Sequence, residues 1–485
     1  MLQFHYLISI ILFLPVISSI CLYLLNNFSK TRDFVATFFS ILTFAFIFYL
    51  YSNFSYYQST YLNAITIYEN IYIGFNIDKI GILFALMASF LWILTTIYSI
   101  GYLRNHHEKN QTSFYIFFAL SITSTLGIAF SNNLFTLFIF YEALTLITLP
   151  LILHSNTKEA KLAGKKYLGI LLATSMIFFL PALVLVYILT DNLNFTTGGL
   201  FISGEYPEIL ILLTTMFIFG ISKAGIMPFH NWLPAAMVAP TPVSALLHAV
   251  AVVKSGVFAL IKIILFIIGT ENLKIAFSSL ELNNYLYIIP SITIILSSII
   301  ALKQDNLKKR LAYSTISQLS YIILATVLLS SSTHIIAPMQ IIFHAFAKIT
   351  LFFAAGSLIV LVHKNNISEL TGIAKSMPIT MVCFFIASLS IIGLPLTGGF
   401  IGKWNLITAS IITDNIFVIL VLISSTVLNA MYFLPISFKA FQLNNQETQP
   451  TELKENIFFV IPMIITTAIT ILLFFFSNYL TLFLQ

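Results

Sequence analysis

Charge is scarce in this sequence. Asp, Glu, Lys and Arg make up 8% of the 485 residues, against 59% hydrophobic ones, whereas ordinary soluble domains carry about 25% charged residues. That shortage excludes a soluble globular protein. Cysteine is rarer still: Cys21 and Cys383 lie in separate apolar segments, without the spacing of a redox pair, an iron–sulfur set or a zinc site. Glycine-rich phosphate loops and dinucleotide fingerprints are missing. No cofactor or metal is therefore expected on this chain, and any redox chemistry is expected on a partner. Strand-like alternation is also lacking, which argues against an outer-membrane barrel. No basic block suited to nucleic acid is present. The first apolar run, residues 4–25, has neither a basic lead nor a small-residue cleavage site, so it reads as a retained helix.

What is present is apolar length. Runs rich in Leu, Ile and Phe fall at about 4–25, 34–51, 78–101, 112–130, 133–153, 166–190, 208–227, 243–268, 285–301, 312–331, 337–362, 377–396, 413–436 and 456–482. Crossing about 30 Å of hydrocarbon takes roughly 20 helical residues, so the sequence predicts an all-α integral membrane protein of about 14 transmembrane helices. Two pieces, near 229–240 and 399–411, follow the interruptions "GIMPFHNWLP" and "GLPLTGGFIGKW". Pro removes a backbone donor and Gly relaxes the helix, so each interruption is expected to split a span into half-helices, as transport proteins do. The plain alternative is a packing kink.

Loop charge gives an orientation. With the N-terminus outside, most of the 23 Lys and Arg residues fall in the odd-numbered loops, including Arg104, Lys158, Lys161, Lys308, Lys309, Arg310 and Lys454; only Lys79 and Lys274 fall opposite. The positive-inside rule then places both termini on the periplasmic side of a bacterial-type cytoplasmic membrane. The Lys308, Lys309 and Arg310 cluster reads first as a cytoplasmic anchor.

Several charges sit where lipid would reject them. Glu142 lies near the centre of "LFTLFIFYEALTLITLPLIL"; Lys223 precedes Pro228 by five residues, just before the first break; Lys254 and Lys348 are near the middle of their spans; Lys403 follows the second break. An acid at membrane depth costs about 2.5–3.5 kcal/mol unless neutral, hydrated or paired. Glu142 is thus a proton relay, a partner tuning a lysine, or half of a fixed ion pair. Four lysines cannot all be answered by one acid. Burial disfavours the charged ammonium, which makes the unpaired ones groups able to switch between charged and neutral. Lys262, near its span end, is expected to snorkel to an interface.

His344 and Lys348 are four residues apart, about 6 Å along one helix face. A proton could pass between them directly or through one water. His248 and Lys254 differ by about 9 Å of rise and some 240°, so waters or other helices would have to bridge them. For both histidines the alternative is a neutral side chain bonded to a carbonyl. His230, beside the first break, could gate a path or cap a half-helix. His5, His106, His107, His154, His334 and His363 lie near span ends or in loops and need no special role. Sodium prefers oxygen ligands, yet Glu142 is the one acid deep in any span, with Asp78 and Asp414 at span ends. This favours moving protons by lysine and histidine titration over caging a metal ion.

The segments "FYEALTL", "GISKAGIMPFHNWLPAAMVAPTPVSALLHAVAVVKSGVF", "LKKRLAYSTISQLSY", "FHAFAKITLFFAAGS" and "GLPLTGGFIGKW" resemble the antiporter-like membrane subunits shared by respiratory complex I and the multi-subunit sodium/proton antiporters. The likeness runs from about 75 to 435. It implies two inverted five-helix repeats, at 112–268 and 285–436, flanked by N-terminal helices at 1–111 and a last helix at 456–482. It also implies roles: Glu142 with Lys223 modulating a first half-channel, His248 and Lys254 relaying toward the centre, His344 and Lys348 as central stations, and Lys403 as the terminal lysine. The wording is most similar to the D-type antiporter subunits, and also to the largest such complex I subunit, which continues into a lateral helix where this chain stops. Ala235 stands where many members carry an acid, and Gln340 where some carry another histidine.

The function expected is a proton-translocating membrane subunit of a sodium/proton antiporter, working with other membrane subunits in a lipid bilayer. The alternative is a proton-pumping subunit of NADH-quinone oxidoreductase or a hydrogenase-like complex. A structural scaffold has little reason to bury so many charges.

Overall fold

The computed structural model describes residues 2–58, 60–106, 108–282, 285–442 and 455–485. His107 and Lys454 lie outside them. Among the described residues, eleven helices are long and apolar enough to cross a bilayer, which makes the chain a multi-pass membrane protein. Burial sorts these helices by depth. The span Thr241–Ile268 is 89% buried and Thr333–Val362 is 83%, while Ser29–Ser52 is 28% and Ile457–Phe475 is 33%. The first pair forms the interior and the second lies at the periphery, with Phe34, Phe38, Ile41 and Phe48 exposed along Ser29–Ser52.

Helix Leu307–Val327 is enclosed along most of its length, where Ser314, Thr315, Ser317, Gln318 and Ser320 are buried. Those polar groups suit packing against helices better than against lipid. Thr333–Val362 is the hub: it packs against Leu307–Val327, Val252–Ile263, Pro378–Ile392, Gly398–Ile412 and Ile457–Phe475.

Both expected interruptions are present, but they differ. Helix Pro207–Gly220 ends early, so Lys223 lies inside the break, on the single 3₁₀ turn Ser222–Ala224, and not before it. At this point Gly220 abuts the backbone of Phe179, and the Trp232 indole donates to the Ser222 carbonyl at 3.0 Å. The piece near 229–240 is only two short turns, Trp232–Ala235 and Ala236–Val238, before helix Thr241–Ala245 begins with Pro242 in its first turn. The second break is a tight turn from Gly393 to Thr397, followed by a helix of four turns, Gly398–Ile412. Side chains satisfy the backbone freed at these points, as burial in a membrane protein requires: Met227 N donates to Thr293 at 3.3 Å and Gly399 N to Ser390 at 3.2 Å.

One expectation is corrected. Strand alternation is not wholly lacking: Tyr61–Tyr68 and Ile71–Asn76 form an antiparallel hairpin. Its first strand is almost fully exposed, so no apolar face marks it in the sequence. Thr136 Oγ1 accepts from Gly74 N at 2.9 Å, which seats the hairpin on the start of helix Leu134–Ile152.

Candidate functional site

The interior lysines find carbonyls and hydroxyls rather than acids. Among the described residues no carboxylate lies within ion-pair distance of Lys223, Lys254, Lys348 or Lys403, although all four are buried. Lys223 donates to the Tyr141 carbonyl and lies over the Tyr141 ring, 3.3 Å from its centroid. Neither oxygen of Glu142, the next residue along, has a hydrogen-bond partner. Glu142 and Lys223 are therefore neighbours without a direct ion pair. The packing that places them is close: a Cβ at Gly256 would come 2.6 Å from the Lys223 carbonyl carbon, so only glycine lets helix Val252–Ile263 approach the break.

Lys254, two residues from Gly256, reaches across to the other half of the chain and hydrogen-bonds His344 Nδ1. This contact, 90 residues apart in sequence, joins the two most buried of the eleven long apolar helices. His248 does not touch Lys254. It lies on a π turn, Leu246–Val250, a form that often marks functional sites; its ring sits 4.7 Å from that of Phe352, and both ring nitrogens lack partners. His344 Nε2 lacks one too. His344 and Lys348 share a face as expected, yet their side chains diverge. Lys348 donates to Ser314 Oγ at 2.8 Å and to the Leu311 carbonyl at 3.2 Å. Lys254, Lys348, His248 and His344 are close enough to act on one another electrostatically, so a charge on one opposes a charge on the next.

Lys403 caps the second break. Its ammonium donates to the Ile392 carbonyl at 2.8 Å, left free by the end of helix Pro378–Ile392, and to Thr426 Oγ1 at 3.3 Å; cations are favoured at such helix C-termini. His230 is buried beside the first break with Nδ1 unpartnered, 6.3 Å from the Tyr313 ring. It donates no resolved cap.

Two expectations about basic residues change. Lys262 does not snorkel: it is 1% exposed and bonded to Asp78, because Asp78, the N-cap of helix Lys79–Asn105, is within reach. The loop cluster is more than an anchor. Lys308 is buried and donates to the Ala239 carbonyl at 2.6 Å, and Arg310 bonds the carbonyls of Gln304, Leu302 and Tyr432.

Sequence reasoning missed the neutral groups between the lysines. Ser314 Oγ also lies 3.0 Å from Tyr432 Oη, which in turn bonds Asn429 Oδ1. Thr426, one turn before Asn429, reaches Lys403. From Lys254 to Lys403 each step is thus a hydrogen bond or one turn of a helix.

A family model described as NADH:quinone oxidoreductase/Mrp antiporter, TM matches residues 131–429, and one described as NADH-ubiquinone oxidoreductase (complex I), chain 5 N-terminus matches 65–115. NADH-quinone oxidoreductase subunit N of Desulforudis audaxviator is 31% identical over 359 residues, 73% of this chain and 70% of that one. NADH-quinone oxidoreductase subunit L of Neisseria meningitidis is 31% identical over 353 residues, 70% and 50% of the two chains. Chloroplastic NAD(P)H-quinone oxidoreductase subunit 5 of Lotus japonicus is 29% identical over 406 residues, 80% and 52%. The aligned region covers about half the length of these last two relatives. By fold, the chain is similar to one in an archaeal respiratory membrane complex, the membrane-bound sulfane sulfur reductase, with a TM-score of 0.86 at 22% identity over 98% and 96% of the chains. It is similar also to one in the Mrp complex from Dietzia sp., with 0.82 at 18% over 99% and 96%.

Proposed function

This chain belongs to the family of NADH:quinone oxidoreductase and Mrp antiporter membrane subunits, and we propose that it translocates protons within a redox-driven, multi-subunit respiratory complex. The curated relatives, which are NADH-quinone oxidoreductase subunits, favour this over the antiporter reading that the motif wording suggested. The observation that carries the transport role is the Lys254–His344 bond between the two central spans, within a row of buried lysines that have no acid partner.

A proton on Lys254 Nζ passes to His344 Nδ1 along their existing hydrogen bond. The same imidazole presents Nε2 on its other side, one helical turn from Lys348, so histidine can accept at one nitrogen and release at the other. Mutual repulsion among the four bases makes protonation of one eject the proton of the next. Glu142 is the counter-charge beside Lys223 at the far end, His248 feeds the centre from the π turn, His230 gates the first break, and Lys403 is the terminal station.

In this reading the spans number 14. The eleven long helices, the two shorter ones that end at breaks, and the enclosed polar helix Leu307–Val327 make up that number. They form two inverted repeats at 112–268 and 285–436, flanked by 1–111 and 456–482, with both termini on the outer face of a bacterial-type cytoplasmic membrane. A sodium/proton antiporter is the second reading, since the same fold serves in the Mrp complex.

Purification of the intact complex separates the two. A peripheral partner carrying iron–sulfur centres is the expected result. A set of small membrane partners without redox centres would overturn the first reading in favour of the second.

A further inference from the structure

Between Lys348 and Lys403 lies a short line of buried polar groups, with the unpartnered Ser425 hydroxyl beside it. Ser314 Oγ accepts from Lys348 at 2.8 Å and meets Tyr432 Oη at 3.0 Å. Its neighbours Thr315 and Ser320 donate to the carbonyl of the preceding turn, at 2.9 and 3.1 Å; Ser314 makes no such bond among those resolved, so its hydrogen is free to turn. Tyr432 Oη touches two acceptors, Ser314 Oγ and Asn429 Oδ1, but a phenol has one hydrogen. Asn429 Nδ2 and the Tyr321 hydroxyl, buried on the Lys403 side, have no partner, and the Tyr321 ring is 5.0 Å from the Lys403 ammonium.

The charge on Lys348 limits which way these hydrogens can point. A charged ammonium has no lone pair, so it can only donate to Ser314. The Ser314 hydrogen then turns to Tyr432 Oη, and the Tyr432 hydrogen to Asn429. Once Lys348 is neutral, its nitrogen gains a lone pair while an N–H stays on the Leu311 carbonyl, so it is able to accept the Ser314 hydrogen; Ser314 Oγ then accepts from Tyr432, and Asn429 Oδ1 loses its donor. In the first state both hydroxyl dipoles aim their positive ends toward the Lys403 side; in the second both point away.

We propose that the Tyr432 hydroxyl, shared between Ser314 and Asn429, is a two-position switch that transmits the charge state of Lys348 to Lys403. The inference rests on the transport role proposed above and deepens it by naming a positioning residue. Lys348 itself feels Lys254, His344 and His248, with the Phe433 ring 5.5 Å away. Tyr432 is held in register by Arg310, which donates to its carbonyl at 3.0 Å.

The test is difference infrared spectroscopy on the intact complex in membrane vesicles, with the phenol C–O band of Tyr432 assigned by subtraction of Tyr432→Phe. The band is expected to shift between acid and alkaline medium in the native protein and to stay fixed in Lys348→Met. Ser314→Ala, which keeps the phenol but removes one acceptor, is expected to hold the band in one position. In parallel, Tyr432→Phe should lower proton translocation roughly fivefold to tenfold, the scale of one buried hydrogen bond. A band that responds identically in native protein and Lys348→Met overturns the switch whatever the transport rate. Undiminished transport in Lys348→Met overturns the transport role instead, so the two failures are distinguishable.

Discussion

A lysine ammonium carries three donors and no acceptor, and at each buried position the fold supplies neutral oxygens or an imidazole nitrogen. Such partners hold the group without fixing its charge, as a carboxylate would. That is the physical difference between Lys254 or Lys403 and the paired Lys262, which is bonded to Asp78. Glu142 is the one interior acid among the groups assigned to the relay, and its enclosed oxygens are unpartnered. Glu142→Gln is expected to slow proton uptake into vesicles roughly tenfold, equivalent to about 1.4 kcal/mol on a barrier. A rate equal to that of the native complex would assign Glu142 a packing role. The charged stations were legible in the sequence because a lysine or glutamate stands out in an apolar run. Ser314, Thr426, Asn429 and Tyr432 were not, since hydroxyls and amides recur throughout these helices and only tertiary packing lines up these four.

The two breaks were legible as elements, from Pro and Gly, but their geometry was not. Gly220 closes its helix against the backbone of Phe179, a residue 41 positions away by the numbering, and no local signal carries that contact. At the second break, Gly393 has a φ of +87° and a Cβ there would fall 2.6 Å from Lys403 Cδ. Gly393→Ala should therefore cost about 1–2 kcal/mol in left-handed strain and displace the Lys403 chain, lowering both melting temperature and transport; unchanged values for both would contradict the role given to this turn. The loops also carry a pH signature. Asp305 accepts from the Ser368 hydroxyl at 2.7 Å and the Ser368 amide at 2.9 Å, bonds that hold its carboxyl below the ordinary value of 3.8. A depressed folded-state value means the contribution is complete above that ordinary value and is lost as pH falls through the folded one. Thermal melting of the native complex should thus fall more steeply on acidification than that of Asp305→Asn, and parallel curves would contradict this.

For the whole molecule, the decisive feature is that the two most buried of its eleven long apolar helices meet through Lys254 and His344. Sequence spacing showed that His248 and Lys254 do not share a face, but it could not show that Lys254 belongs with a histidine 90 residues on. The hairpin was missed for a related reason, as its first strand has no buried face to leave a pattern. Loop charge sets the outer topology: a reporter fused after Gln485 is expected on the periplasmic side, and a cytoplasmic signal would contradict the span arrangement. The central claim, that the Lys254–His344 bond is the crossing point of a proton path, is tested most directly by Lys254→Met in the intact complex. The substitution removes a buried ammonium but leaves His344 Nδ1 without its partner, which costs about 1–3 kcal/mol, so the complex should assemble with a modestly lower melting temperature. The account predicts that proton translocation into sealed vesicles falls to background in that assembled variant. Translocation at the native rate would contradict it.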